Sequence, residues 1–250
     1  MRVEATRPLP PDYDIALKRG LAALGLDLDP AARAAIDGHV RLLLAWTPAI
    51  NLTAIREPAE VATGHVLDSL TGLRILRARA VDRFIDLGSG GGFPGLPLAA
   101  ALPARRAVLL DSIAKKVRFL VAAIGATGLD DRVEALTARA EGLAADPAHR
   151  ERWPAVTARA VAPLAELVEL SFPLLEPRGV LIAWKRGDLD PELAAAHRAV
   201  ADLGGGSIEV EDAAPTVVPE HRLVTVTKAG HTPAPYPRDP AARRARPWRP

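Results

Sequence analysis

The stretch from residue 83 to residue 97 decides the fold and reads Arg-Phe-Ile-Asp-Leu-Gly-Ser-Gly-Gly-Gly-Phe-Pro-Gly-Leu-Pro. Its apolar start, residues 84–87, predicts a short buried strand, and the glycines that follow prevent the strand from continuing. Glycine can adopt positive φ angles and lets a ligand lie against the backbone. Pro94 suits the first turn of a helix. We therefore expect a strand, a ligand-binding loop and a helix, in that order.

This glycine loop contains two overlapping spacings that suit different ligands. Gly90, Gly92 and Gly95 match the dinucleotide fingerprint, in which amides at a helix N-terminus bind a pyrophosphate. Gly88, Gly90 and Gly92 form the other spacing, which Asp86 precedes at the strand end. A carboxylate would repel pyrophosphate but can pair with the cationic amino group of S-adenosylmethionine, which has no phosphate. We therefore expect this methyl donor as the cofactor.

A second carboxylate supports a nucleoside ligand. Asp111 ends the apolar run 107–110, where the next parallel strand would present it to ribose hydroxyls. The alternative is a glycine-rich turn that binds nothing. Five glycines among residues 88–95 disfavour that alternative, because glycine loses more conformational entropy on folding than other residues.

Composition excludes several classes of protein. The chain has 250 residues, which suits one α/β domain with extensions, and a net charge of +2, which says little about partners. It has no cysteine, so disulfides, thiolate metal sites and cysteine nucleophiles are excluded. There is no apolar run of membrane-spanning length and no signal-peptide core, so we expect a cytoplasmic protein without membrane contact.

Strands and helices alternate after residue 83, which predicts a parallel sheet covered on both faces. The pattern then changes to two strands without an intervening helix, which predicts an antiparallel ending. This ending is more typical of methyl-donor-dependent transferases than of dinucleotide folds. The expected fold is α/β, a Rossmann-like doubly wound methyltransferase sheet with a C-terminal antiparallel strand. The predicted strands are 84–87, 107–111, 133–138, 155–160, 180–184, 207–211 and 222–227, and the helices between them are 95–102, 113–126, 163–175 and 191–203.

Three regions follow from this pattern. Residues 1–78 form an N-terminal helical cap, residues 79–230 the S-adenosylmethionine-dependent methyltransferase domain, and residues 231–250 a basic tail rich in proline and arginine. The composition of the tail favours a disordered terminus, with a contact to a phosphate backbone as the alternative. The cap helices are predicted over residues 13–26, 30–46 and 58–77.

Several blocks in the right order resemble the bacterial ribosomal RNA small subunit methyltransferase G family, also called glucose-inhibited division protein B. The resemblance implies methyl transfer from S-adenosylmethionine to N7 of a guanine in the decoding-region loop of 16S rRNA. Its partner would be 16S rRNA or the 30S ribosomal subunit, and we expect a monomer. The matching blocks are residues 51–53, 65–69, 84–95, 110–112, 115–120, 139–141, 158–160, 185 and 236–238.

The resemblance also implies roles for single residues. Gly88 and Phe93 should contact the cofactor, and Ala140 and Glu141 should lie beside its adenine. Arg159 should lie near the methyl-transfer site and contact the cofactor, and it is the candidate catalytic residue. Its role would be positioning, because guanine N7 has a free lone pair and needs no general base. The alternative for Arg159 is a surface ion pair with Glu166 or Glu169.

Four basic residues are candidates for RNA contacts: Arg139, Lys185, Arg222 and Arg238. As single residues they could equally be solvated charges. Arg222 is uncertain by one position because the order here is Glu220, His221, Arg222, and one position on a strand means the opposite face.

His65 and Asp68 lie three residues apart on one predicted helix face. We expect no metal site there, since the sequence suggests no third ligand nearby. A histidine that is hydrogen-bonded within the cap is the preferred interpretation, with a direct role at the RNA-facing mouth as the alternative.

Other functions compete with this interpretation. A short-chain reductase is excluded because neither tyrosine has a lysine four residues later. A small-molecule methyltransferase stays open, since the cofactor half of a site does not define the acceptor. A non-catalytic ribosome-binding protein of the same fold also stays open.

Overall fold

The computed structural model describes residues 2–102 and 106–249. Met1 and Pro250, the outermost residues of the predicted cap and tail, lie outside that range. Seven strands form one sheet in the order β3-β2-β1-β4-β5-β7-β6. Strands β1 to β5 are parallel, and β7 runs antiparallel to both β5 and β6. The strands are β1 Arg83–Leu87, β2 Arg106–Asp111, β3 Val133–Thr137, β4 Trp153–Arg159, β5 Leu175–Arg186, β6 Gly206–Ala214 and β7 Val218–Lys228.

Helices cover both faces of this sheet, so the central strands are buried on both sides. Phe84 packs in the core on the cap side, whereas its neighbour Ile85 packs in the core on the opposite side. The chain therefore has the expected α/β methyltransferase fold. The helices are α1 Pro11–Ala23, α2 Pro30–Ile50, α3 Pro58–Val61, α4 Asp68–Leu70, α5 Leu73–Ala78, α6 Gly95–Ala101, α7 Ala114–Ala126, α8 Ala140–Ala145, α9 Leu164–Ser171, α10 Asp190–Asp202 and α11 Pro240–Ala245.

The structure differs from the predicted helices at several ends, with α1 ending at Ala23 and α2 at Ile50, and in the following places. The single helix predicted over residues 58–77 is broken, with a π-helical turn at Ala62–Leu67 and a further break at Thr71 and Gly72. Helix α9 ends at Ser171 because Pro173 has no N–H to continue it. The short helix α8 was not predicted. Nor was α11, which begins at the Asp239 cap inside the tail.

The N-terminal helices share a core with the sheet. Leu42 and Leu67 from this region are buried in the same cluster as Phe84 and Leu109 of the strands. Among the residues that the structure describes, no helix is long and apolar enough to cross a membrane.

Candidate active site

The glycine loop follows β1 at the carboxyl edge of the sheet, where ligands of open α/β sheets bind. Gly88, Gly90 and Gly92 all have positive φ angles, of 67°, 55° and 90°. A side chain at Gly88 would reach Val161 at 2.6 Å, and one at Gly92 would reach His39 at 2.7 Å. Gly88 lines a cavity at the strand ends, and the lack of a side chain at Gly92 makes room for His39 of the cap. The cofactor contacts of Gly90 and Gly92 stay predictions.

The carboxyl group of Asp86, which was predicted to pair with the cofactor, is bound inside the protein. Its side chain is fully buried, and its two oxygens accept hydrogen bonds from Thr157 Oγ1 at 2.7 Å and from the Gly95 N–H at 3.2 Å. Side chains alternate along a strand, so the carboxyl of Asp86 points to the same face as Phe84 and meets the start of α6. Burial raises the pKa of Asp86 to about 6, although the bond from Thr157 opposes that rise. Asp86 holds the loop in place.

Asp111 lies where the sequence predicted, at the end of β2 on the cavity wall. Its oxygens accept hydrogen bonds from the Gly90 N–H at 3.0 Å and the Ile113 N–H at 2.8 Å, and Lys116 Nζ is 4.0 Å away. The carboxylate is therefore fixed in orientation and still borders open space.

A cavity of about 370 Å³ extends from Gly88 and Asp111 along the ends of β1 to β4, and we call it the strand-end cavity. Its far end is formed by Ala140 and Glu141 at the start of α8. Carboxylates at both ends and apolar walls between them suit the ribose hydroxyls, the amino group and the ring of an adenosine. The residues present thus fit S-adenosylmethionine. The other lining residues include Leu87, Leu110, Ser112, Ile113, Lys116, Arg139, Ala160, Val161, Ala162, Glu166, Leu170 and Arg243.

Aromatic rings from the cap and the loop pack against each other behind the glycines. His39 on α2 is buried, its Nε2 lies 2.7 Å from the Gly91 carbonyl oxygen, and its ring is 4.6 Å from Phe93. Burial lowers the pKa of His39 to about 4, so a neutral ring donates Nε2–H to that carbonyl. Phe93 also stacks on His65 at 4.7 Å, and the Arg159 guanidinium lies 5.5 Å from its ring centre. The Phe93 ring therefore packs against His39, His65 and Arg159 next to the glycine loop.

A second cavity, of about 500 Å³, lies between the cap and the ends of β4, β5 and β7, and we call it the cap cavity. Arg159, at the end of β4, lies on its wall. Its Nη1 donates to the Gly64 carbonyl oxygen at 3.1 Å and to Asp68 Oδ2 at 2.8 Å, and its Nη2 donates to His65 Nδ1 at 2.9 Å. The partner of Arg159 is thus Asp68, and the alternative pairing with Glu166 or Glu169 is wrong.

Asp68 is a buried carboxylate that holds two functional side chains. Its Oδ2 binds Arg159, its Oδ1 lies 2.7 Å from His221 Nδ1, and its backbone carbonyl accepts from Trp184 Nε1 at 2.8 Å. His221 therefore points into the cap cavity. Arg222, the neighbouring residue on β7, points to the other face and pairs with Asp212 at 2.9 Å. Of these two neighbours, His221 therefore occupies the position that faces the cap cavity, and the RNA contact of Arg222 stays a prediction.

His65 lies in the π-helical turn, between Arg159 and the cap. Burial and, to a smaller extent, the positive charge of Arg159 lower the pKa of His65 to about 4. Because the guanidinium has no lone pair, Nδ1 accepts from Arg159 and the proton resides on Nε2, which donates to Thr53 Oγ1 at 2.6 Å. His65 is therefore neutral and links Arg159 to Thr53. It is hydrogen-bonded within the cap, as the preferred interpretation of the sequence predicted, and it also lines the cap cavity.

The remaining predicted basic residues have different surroundings. Lys185 lines the cap cavity, but its Nζ is bound to the Ala162 carbonyl oxygen at 3.0 Å and to Glu192 at 2.6 Å. Arg139 is exposed at the rim of the strand-end cavity. Arg186, which the sequence analysis missed, is exposed at the rim of the cap cavity.

A family model described as rRNA small subunit methyltransferase G matches residues 33–214. The chain belongs to this family. The Ribosomal RNA small subunit methyltransferase G of Roseiflexus castenholzii is 41% identical over 222 residues, which cover 89% of this chain and 94% of that one. The protein of the same name from Symbiobacterium thermophilum is 38% identical over 231 residues, covering 90% and 94%.

Solved structures support the fold. An O-methyltransferase from Bacillus cereus, in complex with SAH, superposes with a TM-score of 0.55 at 18% identity and covers 77% of this chain and 91% of that chain. A SAM-dependent O-methyltransferase from Thermotoga maritima gives 0.53 at 16% identity, covering 76% and 72%. Membership in the methyltransferase G family confirms the resemblance seen in the sequence, and S-adenosylmethionine is the cofactor of this enzyme.

The C-terminal tail of this methyltransferase G family member is ordered, so the prediction of a disordered terminus is wrong. Arg238 donates through its backbone N–H and its Nε to Glu169 Oε1, both at 2.9 Å, and Glu169 is fully buried on α9. Trp248 stacks against Tyr236 and donates to the same carboxylate. The guanidinium of Arg238 is thus bound within the protein, and its RNA contact stays a prediction.

Proposed function

We propose that the protein transfers the methyl group of S-adenosylmethionine to N7 of a guanine in 16S rRNA. The observation that carries this proposal is the meeting of the two cavities at Ala160 and Ala162, on the loop after β4, which both of them share. A cofactor in one cavity and an acceptor base in the other would face each other across this loop.

The cap cavity offers what a guanine edge requires. Guanine presents O6 and N7, both hydrogen-bond acceptors, on its Hoogsteen edge. The guanidinium of Arg159 has five N–H donors, of which about two remain after the three bonds within the protein. If these donate to O6, the base is oriented and the N7 lone pair is left free to attack.

The residues of the site suit a reaction that depends on positioning. Bound S-adenosylmethionine supplies an electrophilic methyl group on a positively charged sulfur. Guanine N7 has no proton to lose, so the site needs no general base, and holding two reactants in line provides much of the acceleration. Asp68 and the neutral His65 hold Arg159 in one orientation from two sides. Closing the cavity around the base would also exclude water.

The partner is a single-stranded or looped RNA in this proposal. N7 is hard to reach inside an A-form helix, so the acceptor base has to be unstacked. Arg186 and Arg139, at the rims of the two cavities, are the candidates for phosphate contacts. We propose that the protein acts as a cytoplasmic monomer on 16S rRNA or on the 30S subunit.

The test is transfer of a labelled methyl group to 16S rRNA and to 30S particles from a strain that lacks the gene. N7-specific cleavage then maps the modified nucleotide, and we expect label at one loop guanine. Cofactor binding without labelling of either RNA would instead favour a small-molecule acceptor. Absence of cofactor binding would favour a non-catalytic ribosome-binding protein.

A further inference from the structure

The ordered C-terminal segment, residues 236–248, ends against the cofactor site. Glu169 anchors it: this buried carboxylate accepts from Arg238 and from Trp248 Nε1, and both donors come from the segment. Burial alone would raise the pKa of Glu169, and the bonds from Arg238 and Trp248 outweigh burial and lower it. A buried charge that loses its partner is strongly destabilising. The segment is therefore bound firmly to α9.

This anchor places α11 at the far end of the strand-end cavity, where Arg243 lines the wall. Arg243 is only 9% exposed. Its Nε donates to Glu166 at 3.1 Å, its Nη2 donates to Glu141, and its Nη1 donates to the Arg238 carbonyl oxygen at 2.6 Å. The guanidinium of Arg243 thus links Glu141 of α8 to Glu166 of α9 at this end of the cavity.

Glu141 is the residue expected beside the adenine. The structure binds its Oε1 to Arg243, and the residue lines the cavity, so Oε2 is the oxygen that would accept a hydrogen bond from a ligand there. Without a cation, Glu141 and Glu166 would repel each other, and Glu141 could turn to the solvent. The adenine 6-amino group is a donor that suits a fixed carboxylate oxygen, whereas a 6-oxo purine presents an acceptor at the same place.

We propose that the C-terminal segment builds the adenine end of the cofactor cavity, with Arg243 as the residue that positions Glu141 for recognition of the 6-amino group. This inference rests on the proposed function, because it takes the strand-end cavity to hold the adenosine of the cofactor. It gives the tail a role in cofactor selection.

The test measures binding of S-adenosylhomocysteine and of its deaminated analogue, S-inosylhomocysteine, to the full chain by calorimetry. Arg243→Met keeps the apolar stem of the side chain and removes its donors. Arg244→Met is the matched control, because it removes the same charge from the adjacent, exposed residue of α11. Arg243→Lys keeps the charge but cannot bind both carboxylates in the same geometry, and thermal melting reports whether each variant is folded.

We expect the wild type to prefer the adenosine ligand. Arg243→Met should weaken its binding by about 10-fold or more and lose most of the preference over the inosine analogue, as expected for a hydrogen bond to a charged group. Arg244→Met should match the wild type, and Arg243→Lys should lie between. An Arg243→Met variant with unchanged affinity, or with weaker binding and unchanged preference, would overturn the inference. If Arg243→Met does not fold, Arg243→Lys decides by the same two criteria. If the wild type binds neither ligand, the proposed function itself fails.

Discussion

The two cavities of the site are assembled in different ways. The strand-end cavity is formed by the ends of neighbouring parallel strands, which the fold brings to one edge in a fixed order. The cap cavity combines Thr53 and His65 from the N-terminal region with Arg159 of β4 and His221 of β7, which lie far away in the sequence. Substitutions on the first side should therefore change cofactor affinity, whereas those on the second should change turnover.

Arg159→Ala is the strongest test of this separation. It removes the donors proposed to orient the base, and we expect kcat to fall by about 1,000-fold, as for the loss of other preorganised donors in active sites. The dissociation constant for S-adenosylmethionine, measured by calorimetry, should stay within about threefold. Asp111→Asn is the control with the opposite pattern, weaker cofactor binding and preserved turnover at saturation. Equal loss of cofactor affinity in both variants would contradict the separation.

Asp86→Asn tests how Asp86 holds the glycine loop, and the readout is the stability of the protein rather than its activity. Burial raises the pKa of Asp86 from 3.8 to about 6, so the folded state binds more protons than the unfolded state in that range. The stability that this group contributes is present below pH 3.8 and is lost as the pH rises through 6, by about 3 kcal/mol. Asn does not titrate and should remove this loss.

Urea unfolding of both proteins between pH 4.5 and pH 7 measures the effect. The pKa of the buried His39 is lowered to about 4, so the stability from this residue changes in the opposite direction with pH. His39 is common to both proteins, and the difference between them isolates Asp86. A difference in free energy of unfolding that stays constant with pH would show that Asp86 is not buried as described.

The contrast between the strand-end cavity and the cap cavity also explains which site residues the sequence could predict. Asp86, Gly88 and Asp111 were found because strand, loop and helix follow one another in the chain, and local patterns reveal such order. The sequence could not show that the Asp86 carboxyl is turned toward α6, because that depends on which face of β1 meets α6. A strand that is buried on both faces is apolar at successive positions, so its sequence does not reveal which face packs against which helix.

Long-range partners were hidden for another reason. His39 was missed although it follows Ile36 by three residues on the inward face of α2, and a polar residue in that apolar stripe was the available signal. The pairing of Asp68 with Arg159 and His221 joins segments that only the tertiary fold brings together. The tail looked disordered because composition ignores its partners, and the carboxylates of Glu169 and Glu141 order it.

Asp68→Asn sharpens the comparison within the cap cavity. Asn keeps the shape but removes the charge that holds Arg159 and His221, and we expect kcat to fall by about 10- to 30-fold, the value of a hydrogen bond to a charged group. Because Asp68 acts through Arg159, the double variant Asp68→Asn/Arg159→Ala should be no slower than Arg159→Ala alone. Additive losses in single-turnover assays would give Asp68 a separate role.

His65→Gln should have the smallest effect, because glutamine can replace both of the bonds that the histidine makes. Its amide oxygen can accept from Arg159, and its amide nitrogen can donate to Thr53. We expect kcat to fall by less than about fivefold, whereas His65→Leu, which leaves Arg159 with one partner fewer, should cost about 10-fold. Burial and the nearby Arg159 lower the pKa of His65 to about 4, so the ring stays neutral and should itself add no inflection to the pH profile of kcat from pH 5.5 to pH 8.5, a range that begins about 1.5 units above that pKa. An inflection near pH 6.5 that disappears in His65→Gln would instead make His65 an acid or base in the reaction, and the cap cavity would then do chemistry that N7 methylation does not require.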